Sequence, residues 1–385
     1  MSQDSNKSSQ VSDKSSQDSD ESNKIPQIAE ARTTFGVELE FVLATSDTDN
    51  PHPKDPREVD KDKLTGADAI NFDIQKKFKA LGIPSVVFTW PYTIKITAEE
   101  YRTCWVLKSD PSVGDEGSSD ESQEWDISYN KNGMEMSSPP YYYSEPARKV
   151  IRTVLKTIRK HYRVRVDHST GLHVHVGNSY HGFQFPVLRN LIAIAYTYER
   201  HMLLMLPVKR ASNPWCPPLS WSAFGMKYPN LTRIEALEKI LEYTDNSSLL
   251  DDFGEHNSER LGFNIEGLRT PFENDKRTIE FRQHQGSLDP DAVLNWIHVC
   301  VKFVEKACFA KDDELFTRLR QDVSKPVGLG EEEVSTIDFL MWLGCPAQAY
   351  YYGIEMVKNK DALANRIRND EIRYQNQLKR ALRKQ

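Results

Sequence analysis

Long apolar runs, paired cysteines, an excess of basic charge and glycine-rich phosphate loops are all missing from this chain. Each absence removes a class of function. No uninterrupted apolar stretch approaches the ~20 residues that span a bilayer, so a membrane-crossing protein is not expected. The five cysteines in 385 residues, Cys104, Cys216, Cys300, Cys308 and Cys345, are scattered, odd in number and without a Cys-x-x-Cys pair. That usage suits reduced intracellular thiols rather than a disulfide-stapled secreted domain. A net charge of -6 supplies no basic field for nucleic acid or anionic membrane. The start, Met1-Ser-Gln-Asp-Ser, lacks the apolar core of a secretory signal. Together these features predict a soluble, cytoplasmic globular protein. Neither Gly-x-x-x-x-Gly-Lys-Ser/Thr nor Gly-x-Gly-x-x-Gly after a strand occurs. Any nucleotide would therefore be held by metal and arginine, not by a glycine cradle.

What is present divides unevenly. Residues 1–28 are almost all Ser, Asp, Gln, Lys, Asn and Glu, and predict a disordered polar tail. Residues 29–350 read as one folded domain, interrupted by a flexible acidic insertion at 108–124, and 351–385 as a helical, basic tail. Helical spacing of apolar residues runs over 66–81, 186–206, 232–243, 290–304 and 332–343. Another helix begins at Ser144-Glu-Pro-Ala, an N-cap with proline in the first turn. Val86 to Trp90 suits a strand. Trp125 to Tyr129 and Met134 to Ser137 flank Asn130-Lys-Asn-Gly133, whose Asn-Gly predicts a hairpin turn. Hairpin-linked strands with helices gathered between them predict an α+β fold, helices backing an antiparallel sheet.

Three segments carry the chemistry: Phe35-Gly-Val-Glu-Leu-Glu-Phe41, Gly171-Leu-His-Val-His-Val-Gly177 and Thr278-Ile-Glu-Phe-Arg-Gln-His284. Strand side chains alternate between faces. Glu38 and Glu40 are therefore expected on one side, as are His173 and His175, and as are Glu280, Arg282 and His284. Val37, Leu39, Phe41, Val174, Ile279 and Phe281 would form the buried side. The hairpin adds Asp126 and Glu135 to the polar face. Carboxylates spaced along a strand suit hard divalent cations, which take oxygen ligands. An arginine beside them suits a phosphoryl or carboxylate oxygen. Each strand alone has an ordinary reading as a solvated charged face; several such strands in one protein make that reading weaker. Cys216, in the Pro-flanked segment Asn213-Pro-Trp-Cys-Pro-Pro218, reads as a rigid loop residue rather than a nucleophile.

As an ordered set, Phe35-Gly-Val-Glu-Leu-Glu, Gly133-Met-Glu-Met-Ser-Ser-Pro139, Gly171-Leu-His-Val-His-Val-Gly and Arg277-Thr-Ile-Glu-Phe-Arg-Gln-His resemble the amidoligase family. That family is related to glutamine synthetase and glutamate–cysteine ligase. The resemblance implies a glutamine-synthetase-like catalytic fold over 29–350, a curved antiparallel sheet with the active site on its open face. It implies ATP-dependent joining of a carboxylate to an amine through an acyl phosphate, with ATP and Mg²⁺ or Mn²⁺ as cofactors. The substrates would be small-molecule or peptide carboxylates and amines. Carried over by motif, Glu38, His173 and Glu280 would hold one ion, and Glu40, Glu135 and Asp126 the other. His175 would approach the nucleotide phosphate and Arg282 the transferring phosphoryl group. Asn264 and Arg210 would lie on the substrate or nucleotide side. No glutamate-site or ammonia-site motif of the synthetases is present. Two alternatives stay open on the residues alone: a zinc hydrolase using His173, His175 and His284, and a non-catalytic interaction protein built on the same sheet.

Overall fold

The computed structural model describes residues 33–45, 67–89, 95–114, 130–179, 181–207, 210, 215–254, 260–269, 276–328 and 332–358, with a few positions (365, 367–369, 372) beyond. The polar tail 1–28, the expected strand 125–129 with Asp126, and most of 359–385 lie outside the described residues.

Among the described residues nine strands form one sheet. In chain order they are β1 (Thr34–Thr45), β2 (Ser85–Val87), β3 (Trp105–Ser109), β4 (Asn130–Ser137), β5 (Tyr141–Tyr142), β6 (Val164–Arg165), β7 (Gly171–Gly177), β8 (Phe263–Asn264) and β9 (Thr278–Gln285). Their spatial order is β2-β3-β4-β1-β7-β9-β8, with β5 and β6 also paired to β1. Every pairing is antiparallel except β2 with β3. Among the described residues the order ends at β2 and β8, so the sheet is open and forms no barrel. This is the expected α+β arrangement of a mostly antiparallel sheet backed by helices.

Alternation along the strands sorts the two faces. Phe35, Val37, Leu39 and Phe41 of β1, Val174 and Val176 of β7, and Ile279 and Phe281 of β9 are all buried. They join one apolar core with Met134 and Met136 of β4 and Trp105 and Leu107 of β3. Helix α1 (Ala67–Ala80) covers the β2–β3 end. Its Ile70, Ile74 and Phe78, four apart, point inward and are fully buried. Helix α2 (Ala98–Thr103) begins at a capping box between Thr97 and Glu100. Helix α3 (Glu145–His161) starts at the expected cap, the Ser144 hydroxyl accepting from the Ala147 amide. It packs on the helix Pro290–Phe309, which lies against β7. Helix α4 (Phe185–Leu204) packs on the same helix. The helix Pro346–Lys358 runs across position 350.

Two local expectations are corrected. Asn130 to Gly133 is not a turn: β4 is continuous from Asn130 to Ser137, and each of these residues pairs with β1, from Thr45↔Asn130 to Glu38↔Ser137. Gly133 is small because another backbone passes close by. A Cβ there would lie 2.2 Å from the Asp110 carbonyl oxygen and 2.3 Å from that of Val113. Likewise, 108–124 does not begin as a flexible insertion. Lys108 and Ser109 end β3, paired to Glu135 and Met134, and the Asp110 amide donates to the Gly133 carbonyl at 2.9 Å.

Candidate active site

The face of the sheet opposite the core is a cluster of charge. Glu38 and Glu40 project from β1, and register sets Glu40 directly beside Glu135 of β4. On the other flank Glu38 pairs with His173 of β7, and His175 with Glu280 of β9. Two groups of potential ion ligands result. One ligand atom from each of Glu38, His175 and Glu280 lies within 4.8 Å of the others, and the same holds for Glu40, Asp110 and Glu135. The sequence reading missed Asp110. The alternation that puts Trp105 and Leu107 in the core could have found it, since Val106, Lys108 and Asp110 fall on the opposite phase.

The two histidines differ in role. His175 Nδ1 meets the Thr278 hydroxyl at 3.1 Å. That contact orients the ring and leaves Nε2 facing Glu38 Oε1 at 3.1 Å and Glu280 Oε1 at 3.8 Å. Nε2 is buried and forms no hydrogen bond, as expected of a metal-facing imidazole nitrogen held by its other nitrogen. His173 stands between the two groups. Its Nδ1 is 3.3 Å from Glu38 Oε2, and its Nε2 is 3.7 Å from Glu40 Oε1. Gly171 permits this crowding, because a Cβ there would lie 2.6 Å from His173 Nε2 and 2.9 Å from a terminal nitrogen of Arg210. Its amide donates to Glu40 Oε2 at 2.6 Å.

Arg282 donates to Glu280 Oε1 at 2.6 Å and lies 3.5 Å from His173 Nδ1. Asn264 on β8 donates to the other Glu280 oxygen at 2.8 Å. Arg210 is buried on the same face beside Gly171, where its guanidinium donates to the backbone carbonyls of Arg282 at 2.7 Å and Gln283 at 3.3 Å. Those carbonyls belong to an irregularity. The β7–β9 register shifts between Leu172 and Val174, so an extra residue of β9 bulges opposite His173. The bulge overturns one expectation. His284 does not share the face of Glu280 and Arg282. It pairs with Leu172, packs its ring 5.0 Å from that of Trp296, and is buried in the core layer. Burial lowers its pKa to about 4. The imidazole is thus neutral and turned away from the site, which deprives the zinc-hydrolase reading of its third histidine.

The carboxylates are not equivalent. Burial acts on all four glutamates to favour the neutral acid. For Glu38 it is outweighed by Lys276, whose Nζ is 2.6 Å away, and by His175 and His173, so the carboxyl sits well below its usual range. For Glu280 burial is outweighed by His175 and Arg282, with the same result. Burial prevails at Glu40, and at Glu135 it is reinforced by the charge of Glu38. Both are raised, although Lys108 pairs with Glu135 at 2.9 Å. Cys216 is buried, its thiol pushed up by burial, and its sulfur faces the Arg210 carbonyl at 3.5 Å. It is a packed loop residue, not a nucleophile.

A cavity of 480 Å³ adjoins the Glu38 end of the site. Phe35, Val37, Phe88, Tyr101, Val106 and Pro140 give it apolar walls, while Glu38, His175, Lys108 and Lys276 stand on its polar side. Concave, largely apolar volume with converging polar groups suits a small-molecule site.

Comparison with known proteins agrees with the class of chemistry this face offers. Residues 31–304 match the family model described as "Putative amidoligase enzyme", and the chain belongs to that family. It is accordingly an enzyme, a carbon–nitrogen ligase of the carboxylate–amine type. No curated protein matches the chain. Among solved structures, a bifunctional glutathione synthetase from Pasteurella multocida is similar at 10% identity and a TM-score of 0.33, over 88% of this chain and 50% of that one. The chain thus spans about half the length of that protein. Among the described residues no helix is long and apolar enough to cross a membrane.

Proposed function

We propose that this face binds ATP with two divalent ions, Mg²⁺ or Mn²⁺, and joins a carboxylate to an amine through an acyl phosphate, on a sheet of the glutamine-synthetase-like kind. One observation carries the reading: two three-residue ligand sets lie side by side on the sheet, with His173 between them and Arg282 at their edge. The donor chemistry fits. Five carboxylates and one imidazole are the ligands of hard, oxygen-seeking cations, and the orphaned His175 Nε2 faces the first set. Glu38, His175 and Glu280 would hold one ion, and Glu40, Asp110 and Glu135 the other. Bound there, the ions would neutralise the polyphosphate. Asp126, expected in the second set, lies outside the described residues.

The chain's own residues supply positioning, which is most of what phosphoryl transfer asks of a protein. The apolar cavity takes the nucleotide's base and excludes water from it. Arg282, anchored by Glu280, presents its guanidinium edge to the transferring phosphoryl oxygens. Asn264 holds Glu280 from the far side, and Arg210 fixes the bulge from which Arg282 projects. In the first step a substrate carboxylate oxygen displaces ADP from the γ-phosphorus. In the second an amine nitrogen displaces phosphate from the acyl carbon and loses its proton. The folded unit would span 29–350, with 351–385 as a basic tail. Purified protein incubated with Mg²⁺-ATP and mixtures of carboxylates and amines should release ADP only when both partner classes are present, with a product mass short of one water. Product formation without ATP, or no nucleotide binding at all, would remove this reading.

A further inference from the structure

Two lysines on the cavity wall have no part in holding an ion, yet each engages a proposed ion ligand. Lys276 Nζ lies 2.6 Å from Glu38 Oε1, the same oxygen that faces His175 Nε2 at 3.1 Å. Lys108 engages Glu135 Oε2 at 2.9 Å. Lys276 is the more exposed of the two, its side chain 56% accessible against 36% for Lys108. Its ammonium can therefore turn into the cavity without first being dug out of the protein.

The backbone around Lys276 supports a functional placement. Arg277 has φ of 45° and Ser179 φ of 52°, the two non-glycine residues with left-handed backbone among those described. They flank the Gly177↔Thr278 pair that closes β7 against β9, at the mouth of the cavity that Ser179 and Thr278 line. L-residues avoid this conformation, and it persists where surrounding structure imposes it, often at binding sites. Here the reversal at Arg277 carries Lys276 back over the sheet, across β7, to a glutamate on β1. A surface lysine that merely sought a carboxylate would not need that path.

A divalent ion and an ammonium compete for one carboxylate oxygen, whereas a polyphosphate in the cavity offers the ammonium a different anion. We propose that Lys276 is a nucleotide-phosphate ligand that gives up Glu38 for phosphate when nucleotide enters, so that nucleotide and divalent ion assist each other's binding at the Glu38 set. This rests on the ATP-and-metal reading above. Because coupling is reciprocal, the lysine weakens the ion on its own and strengthens the nucleotide.

Full-length wild-type protein and the variants Lys276→Met and Lys276→Arg are titrated separately with Mn²⁺ alone, read by the paramagnetic resonance of free ion, and with a fluorescent ADP analogue alone. Lys276→Met should bind Mn²⁺ about 10-fold more tightly and the nucleotide about 10-fold more weakly than wild type, within the usual range of coupling factors. Lys276→Arg should recover the nucleotide affinity. Opposite signs are the signature, since a damaged site would weaken both. If both affinities fall, or neither changes, in a wild type that binds both ligands, Lys276 has no such role and the ligase reading stands. A wild type that binds neither ligand overturns both.

Discussion

The two ligand sets share a sheet face but are built and charged differently. Glu38, His175 and Glu280 come from the interiors of β1, β7 and β9, three adjacent strands whose register alone brings them together. Glu40 and Glu135 are also placed by register, but Asp110 follows the end of β3 in a turn, where its amide donates to the Gly133 carbonyl, its own carbonyl accepts from the Val113 amide, and its Oδ1 accepts from the Ser112 amide and hydroxyl. The first set is ringed by Lys276, Arg282 and the two histidines, and its glutamates stay ionised despite burial. The second has Lys108, His173, Arg210 and the Gly171 amide, which do not offset burial and neighbouring acidic charge, and its glutamates are raised. Burial is common to both, so the neighbouring cations decide. Like charges paired directly across strands, as at Glu40 and Glu135, are unfavourable in an ordinary sheet. Their persistence in a buried position is what a bound cation would account for.

If the first set is the preorganised half, removing one of its members should cost most. Glu280→Ala also frees the Arg282 guanidinium and the Asn264 amide. ADP release is expected to fall about 1,000-fold, the upper range for loss of one transition-state electrostatic partner. Asp110→Asn, which keeps the shape, should cost roughly 10- to 100-fold. Steady-state ADP assays with a thermal melt for each variant check the ranking. An Asp110 variant more damaged than the Glu280 variant would reverse the comparison.

A cleaner separation comes from Gly133→Ala. The new methyl must displace the Asp110 and Val113 carbonyls, both backbone atoms, from 2.2 and 2.3 Å. Overpacking of this kind costs about 1–3 kcal/mol. The second set should loosen while the first, on β1, β7 and β9, keeps its geometry. Mn²⁺ titration should then show one site weakened and one unchanged. Equal weakening of both would mean the sets form a single unit.

The contrast also explains what could be read from residues alone. Period-two alternation is strict within a regular strand, so Glu38, Glu40, His173, His175 and Glu280 were legible as site-facing groups, with the core opposite them. The alternation fails where the strand does. The bulge opposite His173 inserts one residue, and everything beyond it changes face, which is why His284 faces Trp296 and not the glutamates. No residue type in Arg282-Gln283 announces that bulge. Asn132-Gly133 misleads in the opposite sense, since glycine there answers a close backbone approach from the segment after β3 that local sequence does not contain. Asp110 was hidden because the acidic, serine-rich run after it made the whole stretch look like a loop. Lys276 and Lys108 carry no motif, and only the register of distant strands makes them partners of the glutamates.

The smallest and most specific effect concerns pH. A carboxyl must lose its proton to ligate a cation. Glu38 and Glu280 are held below the ordinary value of 4.5, so above that value they add no protonation step to ion binding. Glu40 and Glu135 are raised above it, so at mildly acidic pH they remain partly protonated and an ion in their set must displace the proton. Affinity at the second set should therefore strengthen several-fold as pH rises from near 4.5 through the raised range, while the carboxylates of the first contribute no such rise. Glu135→Gln, which cannot ionise, should remove the Glu135 share of the increase and leave the Glu40 share. Mn²⁺ titrations of wild type and variant across that range make the test. A pH slope identical in the two proteins would place the proton on some other group, and the electrostatic distinction between the sets would go with it.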